Sequence, residues 1–283
     1  MKKAIFIIIS ILIPVFTWGQ AQITTKKVKI GDFTQKVTKV VLTGNPFMDG
    51  ALKDEVTARW RISPYEFCTL EEFEALKGNS SYYFLMPTSG QFRKESEPSL
   101  QFLTLIKGGK GSEKGIDGML EVISMPIASA RYPSGRELIF LPAFIDIIQD
   151  HVTGAMEKDI NAYGGLGNNT MNLGRSEEFT IVFSEDDLCE GVPEESAELF
   201  GNGTLTITDE DEADRYLEEN VDDILVSYVA AAEDPQPGSF CYKMLIDTQT
   251  HRLYYFRKHK ISAKAGRGFT NEDIKRIFTE RNR

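Results

Sequence analysis

Two periods of hydrophobicity alternate along the chain. "KVTKVVLTG" (36–44) is a run of β-branched residues and predicts a strand. It leads into "NPFMDGALKDEVTARW", where Met48, Leu52, Val56 and Trp60 recur every four residues with Phe47 and Ala51 beside them, which is one apolar helical face. Asn45 is placed to cap that helix, and Pro46 suits its first position because the N–H it lacks would have had no partner there. A short strand at 64–68 then meets Thr69, which with Glu72 fits a capping box. Leu70, Phe73 and Leu76 give the next helix its buried stripe, and Gly78-Asn79 stops it. "SYYFLM", "SLQFLTLI" and "MLEVISMP" follow as three successive strands, an antiparallel meander.

The pattern then sounds again. From residue 134, "SGRELIFLPAFIDIIQDHV" reads as strand, proline and amphipathic helix. "GTLTIT" and "DEDEADRYLEEN" read as strand and capped helix, with Thr208 and Asp211 repeating the Thr-x-x-acid signature. "DILVSYV", "SFCYKMLI" and "RLYYFRKHK" are again three strands. Leu100, Phe102, Leu105 and Ile106 match Phe240, Tyr242, Leu245 and Ile246 at a constant separation of 140. The expected fold is therefore α/β in the α+β sense: two tandem β-α-β-α-β-β-β repeats forming mixed sheets packed by helices. The domains expected are a first repeat at 22–127 and a second at 128–283, the second carrying an insertion at 161–202, with one strand at 179–183, and a C-terminal helix. That helix, "GFTNEDIKRIFTERN", has its own capping box in Thr270 and Asp273.

The opening "MKKAIFIIISILIPVFTWGQAQ" changes where this fold is expected to work. Two lysines, an apolar run and small residues before position 22 describe a secretory signal over 1–21, too short for a membrane span. The expected localisation is periplasmic or secreted, with no transmembrane segment once the signal is removed. Nucleic acid is then no partner. Cys68, Cys189 and Cys241 are too few for a disulfide scaffold and make no CxxC pair, although an oxidising compartment permits one bridge between them. The formal charge of -10 is uneven: from His251 onward ten Lys or Arg face three acids, a local +7. With the leader lysines also set aside, the rest of the chain stands at -19.

Candidate chemistry is sparse. "YGGLGNN" follows a helix, whereas phosphate-cradling glycines follow a strand and open a helix. His151, His251 and His259 form no HExxH or ligand cluster, there is no GxSxG elbow, and of the two acidic stretches the second, "TDEDEADRYLEENVDD", lacks the central glycine of a calcium loop. No catalytic residue, metal ligand or cofactor is assigned. One segment stands out, "HRLYYFRKHK". Alternation puts Leu253, Tyr255, Arg257 and His259 on one face, and Arg252, Tyr254, Phe256, Lys258 and Lys260 on the other. Arg252, Tyr254, Arg257, Lys258, His259 and Lys260 are the candidate ligand-binding residues, interleaving cations with aromatics in a way that suits an anionic polysaccharide, a lipid headgroup or an acidic protein surface.

The leader's end, "WGQAQ", resembles those of Bacteroidetes exported proteins, and the mature chain is similar in style to one of their exported families. The leading strand-helix-strand-helix-strand order resembles the small α/β modules of TolB-type and curli-secretion-type periplasmic proteins. That likeness implies an assembly role and transfers no site. The expected function is a non-catalytic binding or envelope-assembly protein. The alternative is an envelope- or polysaccharide-directed hydrolase whose two carboxylates have no fixed spacing in sequence.

Overall fold

A computed structural model describes residues 30–157, 165–200, 203–236 and 238–282; the secretory signal expected at 1–21 lies outside the described residues. The first unit follows the sequence closely. β1 (Val37–Leu42), α1 (Pro46–Arg59), β2 (Tyr65–Thr69), α2 (Leu70–Leu76), β3 (Tyr82–Gly90), β4 (Leu100–Lys107) and β5 (Leu120–Ser129) build a five-stranded sheet in the order β2-β1-β3-β4-β5. The two βαβ crossovers make β1 parallel to β2 and β3, and hairpins make the rest antiparallel. Asn45 accepts from the N–H groups of Phe47 and Met48, and Thr69 and Glu72 complete their capping box. Met48, Leu52, Val56 and Trp60 are buried, but Phe47, expected beside them, is 77% exposed.

The second unit starts later than the sequence suggests. Residues near 134 form no strand: Gly135 takes a positive φ, and Arg136–Ile139 is a single helical turn, α3, running into α4 (Leu141–Glu157). The segment expected to be an insertion instead holds the unit's first strand, β6 (Thr180–Ser184), then two short helices, α5 (Val192–Glu195) and α6 (Ala197–Phe200). β7 (Leu205–Thr208), α7 (Glu210–Glu218), β8 (Ile224–Ala231), β9 (Phe240–Asp247) and β10 (Leu253–Lys260) complete a sheet in the order β10-β9-β8-β6-β7. That order is the first sheet's, element for element. α8 (Asn271–Arg281) follows β10 as α4 follows β5, so each unit ends in a helix.

Register confirms the correspondence at single-residue level. Ile106 pairs with Glu121 and Leu105 with Ile123, leaving Val122 as a bulge; Ile246 pairs with Leu253 and Leu245 with Tyr255, leaving Tyr254 as the same bulge. The frame also moves one cap. Asp209, which is 140 residues after Thr69, accepts from the Glu212 N–H and caps α7, so the expected Thr208 is the last residue of the strand.

α4 lies between the units. Its buried residues surround its axis, including Phe144, Ile145, Ile147, Ile148 and Val152, as expected of a helix covered on several sides. Phe144 meets Tyr228 of β8, and α1 packs on the same helix. One large core therefore runs through both sheets, while smaller cores lie under α2 and under α8. Cys68, Cys189 and Cys241 are free thiols, the first and last buried. Among the described residues no helix is long and apolar enough to cross a membrane.

Candidate functional site

β10 is an edge strand, and the bulge decides what it displays. Because Tyr254 is an extra residue, simple alternation fails there. Tyr254 and Tyr255 both turn toward the core beneath α8, whereas Leu253 and Phe256 turn toward the inter-unit core. The expected grouping of Leu253 with Tyr255, and of Tyr254 with Phe256, is corrected accordingly. The inner part of the edge is closed by the 3₁₀ segment Gly165–Arg175. Thr170 Oγ1 donates to the Phe256 carbonyl at 3.2 Å and accepts its N–H at 3.3 Å, and Asn172 donates to the Leu253 carbonyl at 2.9 Å.

The six sequence-predicted residues separate into three settings. Tyr254 is 7% exposed, with its ring 5.2 Å from that of Phe179, while Arg252 is exposed at the strand's start. Arg257 and His259 face α8. Arg257 reaches Glu272 at 2.8 Å and Asp273 at 3.2 Å, and the Glu272 hydrogen bond helps to hold its pKa above the ordinary value. His259 Nε2 lies 2.8 Å from the Gly266 carbonyl, and burial lowers its pKa. Beneath them Lys243, 1% exposed, is paired with fully buried Asp273, which Tyr255 also contacts at 2.6 Å. Burial alone would raise the Asp273 pKa, but the Lys243 charge and these hydrogen bonds bring it down to about 2. Arg257 is thus already neutralised within the fold.

Lys258 and Lys260 remain on the exposed far end of the strand. The Lys258 ammonium sits 5.4 Å from the Phe240 ring centroid and 5.7 Å from that of Tyr242, and burial against them lowers its pKa. Sequence reasoning missed what joins them. Phe92, in the loop after β3, packs with its ring centroid 4.8 Å from that of Phe240, and a Cβ on Gly238 would lie 2.6 Å from the Arg93 carbonyl. The first unit's loop is held there by Glu95, which accepts from the Phe92 N–H at 2.8 Å and from the Ser239 hydroxyl at 2.6 Å. Arg93 and Lys94, both exposed, come to the same end of the molecule as Lys258 and Lys260. Lys94 has φ +88°, a left-handed conformation that costs a side-chain-bearing residue on the order of 1–3 kcal/mol. None of the four cations makes an ion pair among the described residues.

Carboxylates gather elsewhere. Arg136 is 6% exposed and bridges Asp187 at 3.0 Å and Asp214 at 2.7 Å, with Glu210 at 3.5 Å. Its guanidinium lies 5.1 Å from the ring centroids of Phe140 and Tyr228. Burial lifts the Asp214 carboxyl to about 6 although Arg136 opposes the shift. This network ties α3 to the loop after β6 and to α7, a cross-brace between the connecting segment and the second sheet. Among the described residues no group of three or more His, Cys, Asp or Glu is placed to hold a metal ion. Comparison of the chain with protein-family models, with curated proteins and with solved structures finds no match.

Proposed function

We propose that this is an exported, non-catalytic binding protein of the periplasm or cell exterior that holds an anionic polysaccharide on the seam formed by Arg93, Lys94, Lys258 and Lys260. One observation carries the reading: four exposed cations without ion pairs, drawn from both units, stand together on a protein of formal charge -10. Two other surface cations, Arg131 and Arg267, are by contrast paired with carboxylates, Glu97 and Glu233. Lys258 and Lys260 repeat along a strand at a spacing of about 7 Å, which suits a chain bearing acidic groups at intervals. The rings below them favour this ligand over a bilayer, since Phe92 and Tyr242 are at most 9% exposed and Phe240 is half-buried, which leaves little apolar surface to enter lipid. The TolB-like element order makes envelope assembly the setting in which such a contact would be used.

Polygalacturonate titrated into the chain at low salt tests the reading. Binding is expected to weaken at least about ten-fold, ~1.4 kcal/mol, in Arg93→Glu/Lys258→Glu/Lys260→Glu, and to weaken with added salt. Undiminished binding by that variant, or no binding by the native chain, contradicts it. Preferential binding of anionic vesicles or of an acidic protein replaces the polysaccharide with that partner.

A further inference from the structure

A second surface feature lies at the other end of β10. Between α4 and the 3₁₀ segment Gly165–Arg175 is a cleft of about 490 Å³, floored by Leu253. That volume falls in the ~300–1,000 Å³ range of small-molecule sites. Its space comes from Gly154 on one wall and Gly165 on the other, neither of which sends a side chain into it. Asp150, His151 and Gly154 lie on one stripe of α4, so the helix presents its polar groups to the gap together.

We propose that this cleft binds a small neutral polyhydroxylated ligand, a single saccharide ring or its close equivalent. Two titratable side chains line it, Asp150 and His151. Burial raises the Asp150 pKa, and the charge of Arg252, which lies outside the lining, opposes that shift. Burial lowers the His151 pKa, which keeps its ring neutral, while the Val122 carbonyl accepts a hydrogen bond from the ring; the other ring nitrogen is then an acceptor. Asn172 uses its amide nitrogen on the Leu253 carbonyl, which leaves its oxygen as a further acceptor. Asn169 donates one amide hydrogen to Leu166 and keeps another, and Asn168 is exposed and supplies both kinds of group. Interleaved amide donors and acceptors beside a single carboxylate match hydroxyls, each of which donates and accepts. Leu253 and Ile147 supply the apolar contact that the C–H face of a sugar ring needs. This site stands apart from the cationic seam by several residues of strand and does not depend on it.

Ligand-observed NMR and calorimetry with glucose, galactose, mannose and N-acetylglucosamine test the proposal. At least one sugar is expected to bind in a one-to-one ratio. Its affinity should fall at least ten-fold in Asp150→Ala and in Asn168→Leu, with melting temperatures close to the native one, and stay unchanged in Lys258→Glu/Lys260→Glu. Asn168 is exposed, so its variant keeps the test valid if Asp150→Ala folds poorly. The proposal is overturned if none of the four sugars binds, if a bound sugar is held equally well by both cleft variants, or if spermidine binds more tightly than every sugar.

Discussion

The two units share strand order, register and a bulge, yet they fill equivalent positions differently. In the first, Leu103 of β4 is fully buried in an apolar core. In the second, the residue 140 positions on is Lys243, buried against Asp273 of the closing helix. The first unit's opening crossover is a 14-residue helix, and the second's is two single turns. The first unit therefore gains cohesion mainly from apolar burial, whereas the second is pinned by buried ion pairs. Such pairs contribute less net stability than apolar packing, but they make wrong arrangements expensive. The second unit fixes the place of α8 and of the basic edge strand, and that fixed edge is where the function is proposed.

The comparison can be broken most severely at Lys243 and Asp273. Asp273→Ala strands a buried ammonium and is expected to cost about 3–5 kcal/mol in urea unfolding. Lys243→Leu/Asp273→Leu gives the second unit the first unit's chemistry and should recover most of that loss. A double variant as unstable as the single one would show that the units are not interchangeable there. Arg136→Met should cost about 3 kcal/mol at pH 7 by leaving Asp187 and Asp214 unpaired, and less near pH 5, where Asp214 can protonate.

Acid titration separates the two networks by sign. The Asp273 pKa is depressed to about 2, so its contribution is present above the ordinary carboxylate range and is lost as pH falls through about 2, on the order of 2 kcal/mol. Asp214, raised to about 6, acts oppositely: its ionised form penalises the fold, and that penalty is relieved as pH falls from 6 toward 4. Stability measured between pH 7 and 4 should rise more in the native protein than in Asp214→Asn. The smallest effect probes the shared frame. Thr69→Ala and Asp209→Ala remove equivalent caps and should each cost about 1 kcal/mol. Loss at Thr208→Ala instead would move the frame.

Much of this was legible in the residues. Caps, helical stripes and the two strand triplets announce themselves locally, and the constant separation of 140 exposed the duplication. The start of the second unit was not legible, because the apolar run "LIF" (138–140) suits a strand or a helical turn equally, and the buried contacts of Arg136 with Asp187 and Asp214, 51 and 78 residues away, accompany the helical turn. The bulge at Tyr254 hides in the same way, since it changes which face a side chain takes without changing composition. At the candidate site, Lys258 and Lys260 could be read from the strand. Arg93 and Lys94 could not, since contacts between residues more than 140 positions apart, Phe92 with Phe240 and Glu95 with Ser239, bring them there.

The central claim is that the seam between the units, and not the repeated fold itself, meets the ligand. Backbone chemical-shift mapping during polygalacturonate titration tests it directly. The account predicts changes concentrated at residues 92–95, 238–242 and 256–260, with the equivalent strands β4 and β5 silent at their far ends. Changes centred on β5, on α2 or on the face of α8, or none anywhere, would contradict it.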